Sequence, residues 1–213
     1  MKIARFEFSL FGINTYAVFD PDTRECAIID PGMSSDEERQ AVERFLTNNN
    51  LQLTHIINTH LHIDHAIGNA WLKSKYNTPA YANEGDESLG QRMELQAAAF
   101  GLPFDIKSVE IDHHLHQGDI IRIGNGSLKV LHVPGHSKGS IGLYDEKDGF
   151  LISGDALFAG SIGRTDLPGG SMPELIGSIR ERLLTLPPDT MVYPGHGPAT
   201  TIGQELRSNP FLK

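Results

Sequence analysis

Thr59-His60-Leu61-His62-Ile63-Asp64-His65 follows the apolar run Ile56-Ile57, and this stretch decides the reading of the chain. It gathers three imidazoles and a carboxylate into the six residues 60–65. Such a cluster is costly to hold together unless a metal ion neutralises and orients it. Imidazole and carboxylate are the usual donors to zinc and iron. In an extended backbone side chains alternate with period two, so His60 and His62 point to one side. Asp64 and His65 fall where the strand turns into a helix. That arrangement suits two adjacent metals better than one.

Further ligand-type residues lie far along the chain. His136 sits in Val133-Pro134-Gly135-His136-Ser137, Asp155 in Ile152-Ser153-Gly154-Asp155, and His196 in Val192-Tyr193-Pro194-Gly195-His196-Gly197. Each occupies a glycine-containing turn just after an apolar segment. A strand end there presents a side chain at a sheet rim, and glycine lets the backbone bend close to an ion.

With these residues in hand, the chain resembles the metallo-β-lactamase fold superfamily, whose hallmark is H-x-H-x-D-H followed by a distant His, an Asp and a last His. The resemblance runs over essentially the whole chain. The segment from Gly154-Asp155 to Gly163-Arg164-Thr165-Asp166 narrows it to the branch of short glyoxalase II-type hydrolases and persulfide dioxygenases. The resemblance implies that His60, His62 and His136 hold a first metal. It implies that Asp64, His65 and His196 hold a second, with Asp155 bridging both. Zinc is the first expectation for the two divalent ions, and the same donors accept iron and manganese.

Length and composition set bounds. A chain of 213 residues can bury a full core, and one domain over residues 1–213 is the expectation. Hydrophobic content of 39% and charged content of 21% are ordinary for a soluble globular protein. The formal net charge of −9 argues against nucleic acid and anionic membranes as partners. The single cysteine, Cys26, lies in an apolar strand-like run and reads as a small buried hydrophobe. The N-terminus lacks the apolar core of a signal peptide, and no apolar run approaches ~18 residues, which predicts cytoplasmic residence.

The pattern predicts strands over 3–9, 14–19 and 25–30, a helix over 36–48, and a strand over 53–58 feeding the histidine cluster. A helix over 66–76 and a strand over 79–82 follow. Residues 84–103 read as helical; Leu89, Met93, Leu95 and Phe100 there are core by helical spacing, with a substrate entrance as the lesser reading. Strands are predicted over 119–123, 127–133, 140–145 and 149–153, the first two joined by Gly124-Asn125-Gly126. Ser171-Met172-Pro173-Glu174 starts a helix to about residue 186. A last strand covers 191–193, and Thr201 caps a short final helix. Two β-rich halves, each with helices, imply an α+β fold with helices outside two packed sheets. By resemblance this is the four-layer αββα sandwich, with the metals at the sheet edge.

Two adjacent metals lower the pKa of water towards neutrality and polarise a carbonyl, enough to hydrolyse a thioester, ester or lactone without a protein nucleophile. Asp64 and Asp155 are the candidate catalytic carboxylates. Asp155 balances charge between the ions, and Asp64 can steer a proton as well as bind metal. His113, His114 and His116 read as solvated. His132, four residues before His136, faces the same side and is a candidate support. In glyoxalase II the position of Arg164 is basic and holds a glutathione carboxylate; an ion pair with Asp166 is the equal alternative. Where glyoxalase II places tyrosines near glutathione, this chain has Asp166 and Pro198, and it ends at Lys213 without the longer enzymes' helical extension.

The expected activity is therefore hydrolysis of a small-molecule thioester of the hydroxyacylglutathione type. A mononuclear iron persulfide dioxygenase using His60, His136 and Asp155 is the alternative, and lactone or ester hydrolysis stays open. A metal-binding interaction module is the non-enzymatic reading. β-Lactam hydrolysis is disfavoured by the missing export signal and by a carboxylate at Asp155, and RNA cleavage by the acidic charge. The sequence assigns no oligomeric state.

Overall fold

The computed structural model describes residues 1–102 and 106–213. The first half builds one sheet. Strands β1 (Lys2–Phe8), β2 (Ile13–Phe19), β3 (Glu25–Ile29), β4 (Gln52–Ile57), β5 (Ala80–Ala82) and β6 (His113–His114) lie side by side in chain order. β1 to β3 are antiparallel, and β3 to β6 run parallel. Helix α1 (Asp36–Asn48) crosses between β3 and β4, and α2 (Ile63–Ala66) with α3 (Asn69–Tyr76) between β4 and β5. The second sheet uses β7 (Ile120–Ile123), β8 (Gly126–His132), β9 (Ile141–Asp145), β10 (Phe150–Gly154), β13 (Met191–Pro194) and β14 (Thr200–Thr201). A small hairpin, β11 (Leu157–Phe158) and β12 (Ser161–Ile162), stands apart. Helix α6 (Met172–Ser178) joins it to β13, and α7 (Ile202–Ser208) closes the chain.

The inner faces of the sheets meet in one cluster. Tyr16, Val18, Ile29 and Ile57 of the first sheet pack on Ile123, Val130, Leu143 and Ile152 of the second. The other face of the first sheet, with Ile28 and Ile56, is covered by Val42 and Leu46 of α1 and Leu72 of α3. The other face of the second, with Leu131 and Leu151, is covered by Leu175 of α6, Ile179 and Ile202. β2 is packed on both faces, which explains why it is buried at every position rather than at alternate ones, its polar Asn14 and Thr15 included. The α+β sandwich expected from the sequence is the one observed. No helix is long and apolar enough to cross a membrane among the described residues.

Most elements fall within a residue or two of the expected spans, and the helix over 36–48 matches to the residue. Its N-terminus is fixed by a capping box: Ser35 accepts from the Glu38 amide, and the Glu38 carboxylate accepts from the Ser35 amide. The exceptions have local causes. The helix expected over 66–76 is α3, which starts at Asn69 after the short α2 ends at Ala66; the Gly68 amide donates to the Pro31 carbonyl instead of continuing α2, and a Cβ there would lie 2.6 Å from that oxygen. The helical stretch expected over 84–103 is a 3₁₀ turn at Glu84–Asp86, then α4 (Glu87–Gly90) and α5 (Met93–Ala99). Gly90 gives its carbonyl to the Val109 amide. Pro103, at the end of that expectation, lies outside the described residues. The helix expected to residue 186 is α6 followed by a π-helical turn, Ile179–Leu183, closed by Leu184 N–H donating to Ile179 O. His113 and His114, read as solvated, are exposed, and they form the edge strand β6. Cys26 is fully buried, and burial pushes its thiol up to about 12.

Candidate metal centre

Four strands end at the same rim of the sandwich, and each hands over ligand-type side chains within a few residues. After β4 come His60 and His62, and α2 then carries Asp64 and His65. His136 follows β8, Asp155 follows β10, and His196 follows β13. The seven sequence-derived residues therefore converge at the seam between the two sheets. β2 tethers that seam. Asn14 donates from its backbone to Gly195 O and from Nδ2 to Pro194 O, and the Tyr16 hydroxyl donates to Pro194 O at 2.7 Å.

The donor atoms form two neighbouring groups that could each hold an ion, His60–His62–His136 and Asp64–His65–His196. In the first, His136 Nε2 lies 2.9 Å from His62 Nδ1 and 3.2 Å from His60 Nε2. In the second, His196 Nε2 lies 3.2 Å from Asp64 Oδ2. Asp155 faces both: Oδ1 is 3.3 Å from His65 Nε2, and Oδ2 is 3.7 Å from His136 Nε2 and 3.6 Å from His196 Nε2. A third grouping, His60–His65–Asp155, joins the two.

These residues fit metal ions on their own chemistry. Three ring nitrogens point at one another, an arrangement without favourable pairing unless a cation sits among them. His65 Nε2 and Asp155 Oδ1 are buried with no hydrogen-bond partner. Gly195 keeps the space open, since a Cβ there would collide with Asp155 Oδ1 and lie 2.7 Å from the His65 ring.

Protonation states favour the same use. Burial, then the neighbouring imidazoles, hold His60 well below its ordinary pKa and His62 down to about 3, so both are neutral donors at pH 7. Burial opposes charge on Asp155, but His65, His136 and His196 outweigh it and hold the carboxyl below the usual range. Asp64 is likewise lowered, against its burial, chiefly by His65 and His196. His65 is raised: burial acts against its charge, and Asp155, Asp30 and Asp64 overcome it. His196 is raised as well: burial acts against its charge, and Asp64 and Asp155 overcome it.

Supporting contacts orient the rings. His136 Nδ1 lies 2.8 Å from Arg164 O, and His196 Nδ1 lies 3.1 Å from Phe11 O; N–H donation there leaves each Nε2 for the centre. Asp30 lies 2.9 Å from His65 Nδ1 and accepts from the Thr59 amide and hydroxyl at 2.7 and 2.6 Å. Asp86, buried, accepts from Leu61 N, Ser137 Oγ and Gly139 N, so it ties the His60–His62 loop to the His136 loop. The sequence reading missed both. Asp30 had a signal, since Ile28-Ile29-Asp30-Pro31-Gly32 shares the pattern of apolar strand, polar residue and glycine. Asp86 had none, sitting in a polar run.

Other candidates fall as follows. His132 Nε2 lies 2.9 Å from Lys138 O, bracing the His136 loop from outside rather than touching a ligand. Arg164 lines the cleft over the centre, but its Nε and Nη2 donate to the two carboxylate oxygens of Asp166 at 2.7 and 2.6 Å. Met93 is fully buried core, whereas Phe100 lines the cleft.

Residues 9–196 match the family described as the metallo-beta-lactamase superfamily. A hydroxyacylglutathione hydrolase of Haemophilus influenzae is 38% identical over 214 residues, covering 100% of this chain and 98% of that protein. The crystal structure of the BLEG-1 B3 metallo-beta-lactamase superposes with a TM-score of 0.90 at 34% identity over 100% of both chains. That of TTHA1623 in a di-iron-bound form gives a TM-score of 0.86 at 35% identity, covering 98% of this chain and 100% of the other.

Proposed function

The chain belongs to the metallo-beta-lactamase superfamily, and from that premise we propose that it hydrolyses thioesters of the hydroxyacylglutathione type at a dinuclear metal site. One observation carries the reading: two complete donor groups stand side by side under one cleft, with a carboxylate facing both. In this reading His60, His62 and His136 would hold one ion and Asp64, His65 and His196 the other, with Asp155 facing both groups. A divalent pair bound there would lower the pKa of water towards neutrality and polarise a carbonyl. Zinc fits the imidazole and carboxylate donors, and iron or manganese fits them as well.

The chain's own groups do the rest. Asp64 is ionised and lines the cleft, so it offers an acceptor for the proton that the attacking water gives up. Asp30, the Arg164 carbonyl and the Phe11 carbonyl keep His65, His136 and His196 from rotating away. Asp86 fixes the distance between the two histidine loops. The relative from Haemophilus influenzae supports the thioester class, being named a hydroxyacylglutathione hydrolase.

The test is elemental analysis of the purified protein with parallel assays on lactoylglutathione, glutathione persulfide and a β-lactam. The β-lactam enters because a B3 metallo-beta-lactamase shares the fold. Two metals per chain with thioester turnover support the proposal. One iron per chain, with oxygen consumed on the persulfide, supports the dioxygenase alternative.

A further inference from the structure

The cleft over the metal centre measures about 380 Å³, near the lower end of the usual ~300–1,000 Å³ for small-molecule sites. Its two ends differ. At the His196 end stand three aromatic rings. Phe11 and Phe100 meet edge to face with centroids 5.3 Å apart, and the Phe158 ring centroid is 6.3 Å from that of His196. At the His136 end is Arg164, whose guanidinium is already clamped by Asp166. Phe11 is 51% and Phe100 44% exposed, so neither ring belongs to the core.

Phe11 is also in an unfavourable backbone position. Leu10 to Ile13 form a tight turn, with Ile13 N–H donating to Leu10 O, and its central residues Phe11 and Gly12 have φ of 57° and 68°. A turn with two left-handed residues selects Asn-Gly or Asp-Gly, and a bulky residue at positive φ is an outlier. The carbonyl that Phe11 gives to His196 would be supplied equally by asparagine. The turn does not need the ring, and water does not favour it. Strain of this kind concentrates where a side chain is used.

Resting on the reading of the cleft as a hydrolase site, we propose that the Phe11–Phe100–Phe158 end receives a hydrocarbon substituent of the substrate. The preferred thioester is then one that carries an apolar chain on its acyl or its leaving side, with that chain rather than a charged group held at this end. The apolar wall is continuous with the metal centre, so the chain lies beside the bond being broken.

Binding tests this independently of turnover. Ketone isosteres, with a methylene in place of the thioester sulfur, resist hydrolysis. Two series, lengthened on the acyl side or on the leaving side, are titrated calorimetrically into the purified protein of known metal content. In one series affinity rises about fourfold per methylene until the wall is covered, the value for burying a CH₂. Which series responds assigns the side of the substrate. Phe11→Asn, which suits the turn, and Phe100→Ala each flatten that rise, while Ile120→Ala, an exposed apolar residue elsewhere, leaves it intact. A flat response in both series overturns the proposal, as does a rise that survives both aromatic substitutions. A steep binding series without turnover of any thioester keeps the apolar site and removes the hydrolase reading. Turnover of lactoylglutathione with flat series does the reverse.

Discussion

Asp86→Ala isolates the tie between the two histidine loops. The carboxylate accepts from Leu61 N at 3.1 Å, Gly139 N at 2.7 Å and Ser137 Oγ at 2.7 Å, and it is 1% exposed. Ser137 keeps a partner after the change, because its hydroxyl also lies 2.7 Å from Ser140 Oγ. The two backbone N–H groups are left without one. Each orphaned buried donor costs ~1–3 kcal/mol, giving roughly 2–6 kcal/mol for the pair. Against this, burial raises the pKa of Asp86, so removing a buried charge returns part of the loss. The net expectation is about 2–4 kcal/mol of destabilisation, and about half of that for Asp86→Asn, which keeps one acceptor oxygen. Urea unfolding of the metal-free protein measures the stability. Metal retention on dialysis against a weak chelator measures the geometry, because Leu61 lies between the candidate ligands His60 and His62 and Ser137 beside His136. Wild-type stability within about 0.5 kcal/mol, together with wild-type metal retention, refutes the reasoning.

Asp155→Ala lowers the content of both metals and abolishes hydrolysis; a variant with two bound ions and full rate excludes a bridging role. Metal binding near pH 7 releases protons, because His65 and His196 are raised in the metal-free site and must be neutral to ligate, so affinity climbs with pH. Calorimetry in two buffers of different ionisation enthalpy reads this, and zero release contradicts it. Arg164→Ala changes KM for glutathione thioesters and for neutral thioesters alike, by less than about threefold, because the guanidinium is engaged by Asp166. A tenfold rise confined to glutathione thioesters assigns the arginine to substrate instead. Glu38 accepts from the amides of Ser9, Ser34 and Ser35, which outweigh burial and lower its pKa, so its contribution is present at neutral pH and lost as pH falls through the folded value. Glu38→Gln is therefore destabilised at pH 7, and the gap in melting temperature begins to shrink as pH falls past the ordinary glutamate value and closes below the lower folded one; a gap that persists in strong acid rules out the carboxylate as its source.

The candidate metal centre was legible because its donor residues are written locally. His60 to His65 are contiguous, and His136, Asp155 and His196 each follow an apolar strand with a glycine beside them. The sandwich followed from two β-rich halves with amphipathic helices. What escaped depends on distance. Asp86 meets partners 25, 51 and 53 positions away, and nothing in Asn83-Glu84-Gly85-Asp86-Glu87 separates it from a solvated loop. The breaks at Gly68 and Gly90 are set by what the glycines pack against, Pro31 and Leu61, not by helical propensity. Phe11 shows only as an aromatic before a glycine; its left-handed backbone and its hold on His196 exist only once the turn is built.

The seam position of the centre has a kinetic consequence. Both donor groups draw on both sheets: His60, His62, Asp64 and His65 follow β4, while His136 follows β8 and His196 follows β13. The full donor set exists only after the second sheet has docked on the first. Ions held by that full set would stabilise the native state more than the folding transition state, and would therefore act on the unfolding limb. Stripping the metals should leave the refolding rate nearly unchanged and shorten the native lifetime. In a chevron plot the chelated and loaded proteins then share a folding arm and part on the other. Resistance to a protease that cuts the opened chain faster than it recloses would follow that second arm.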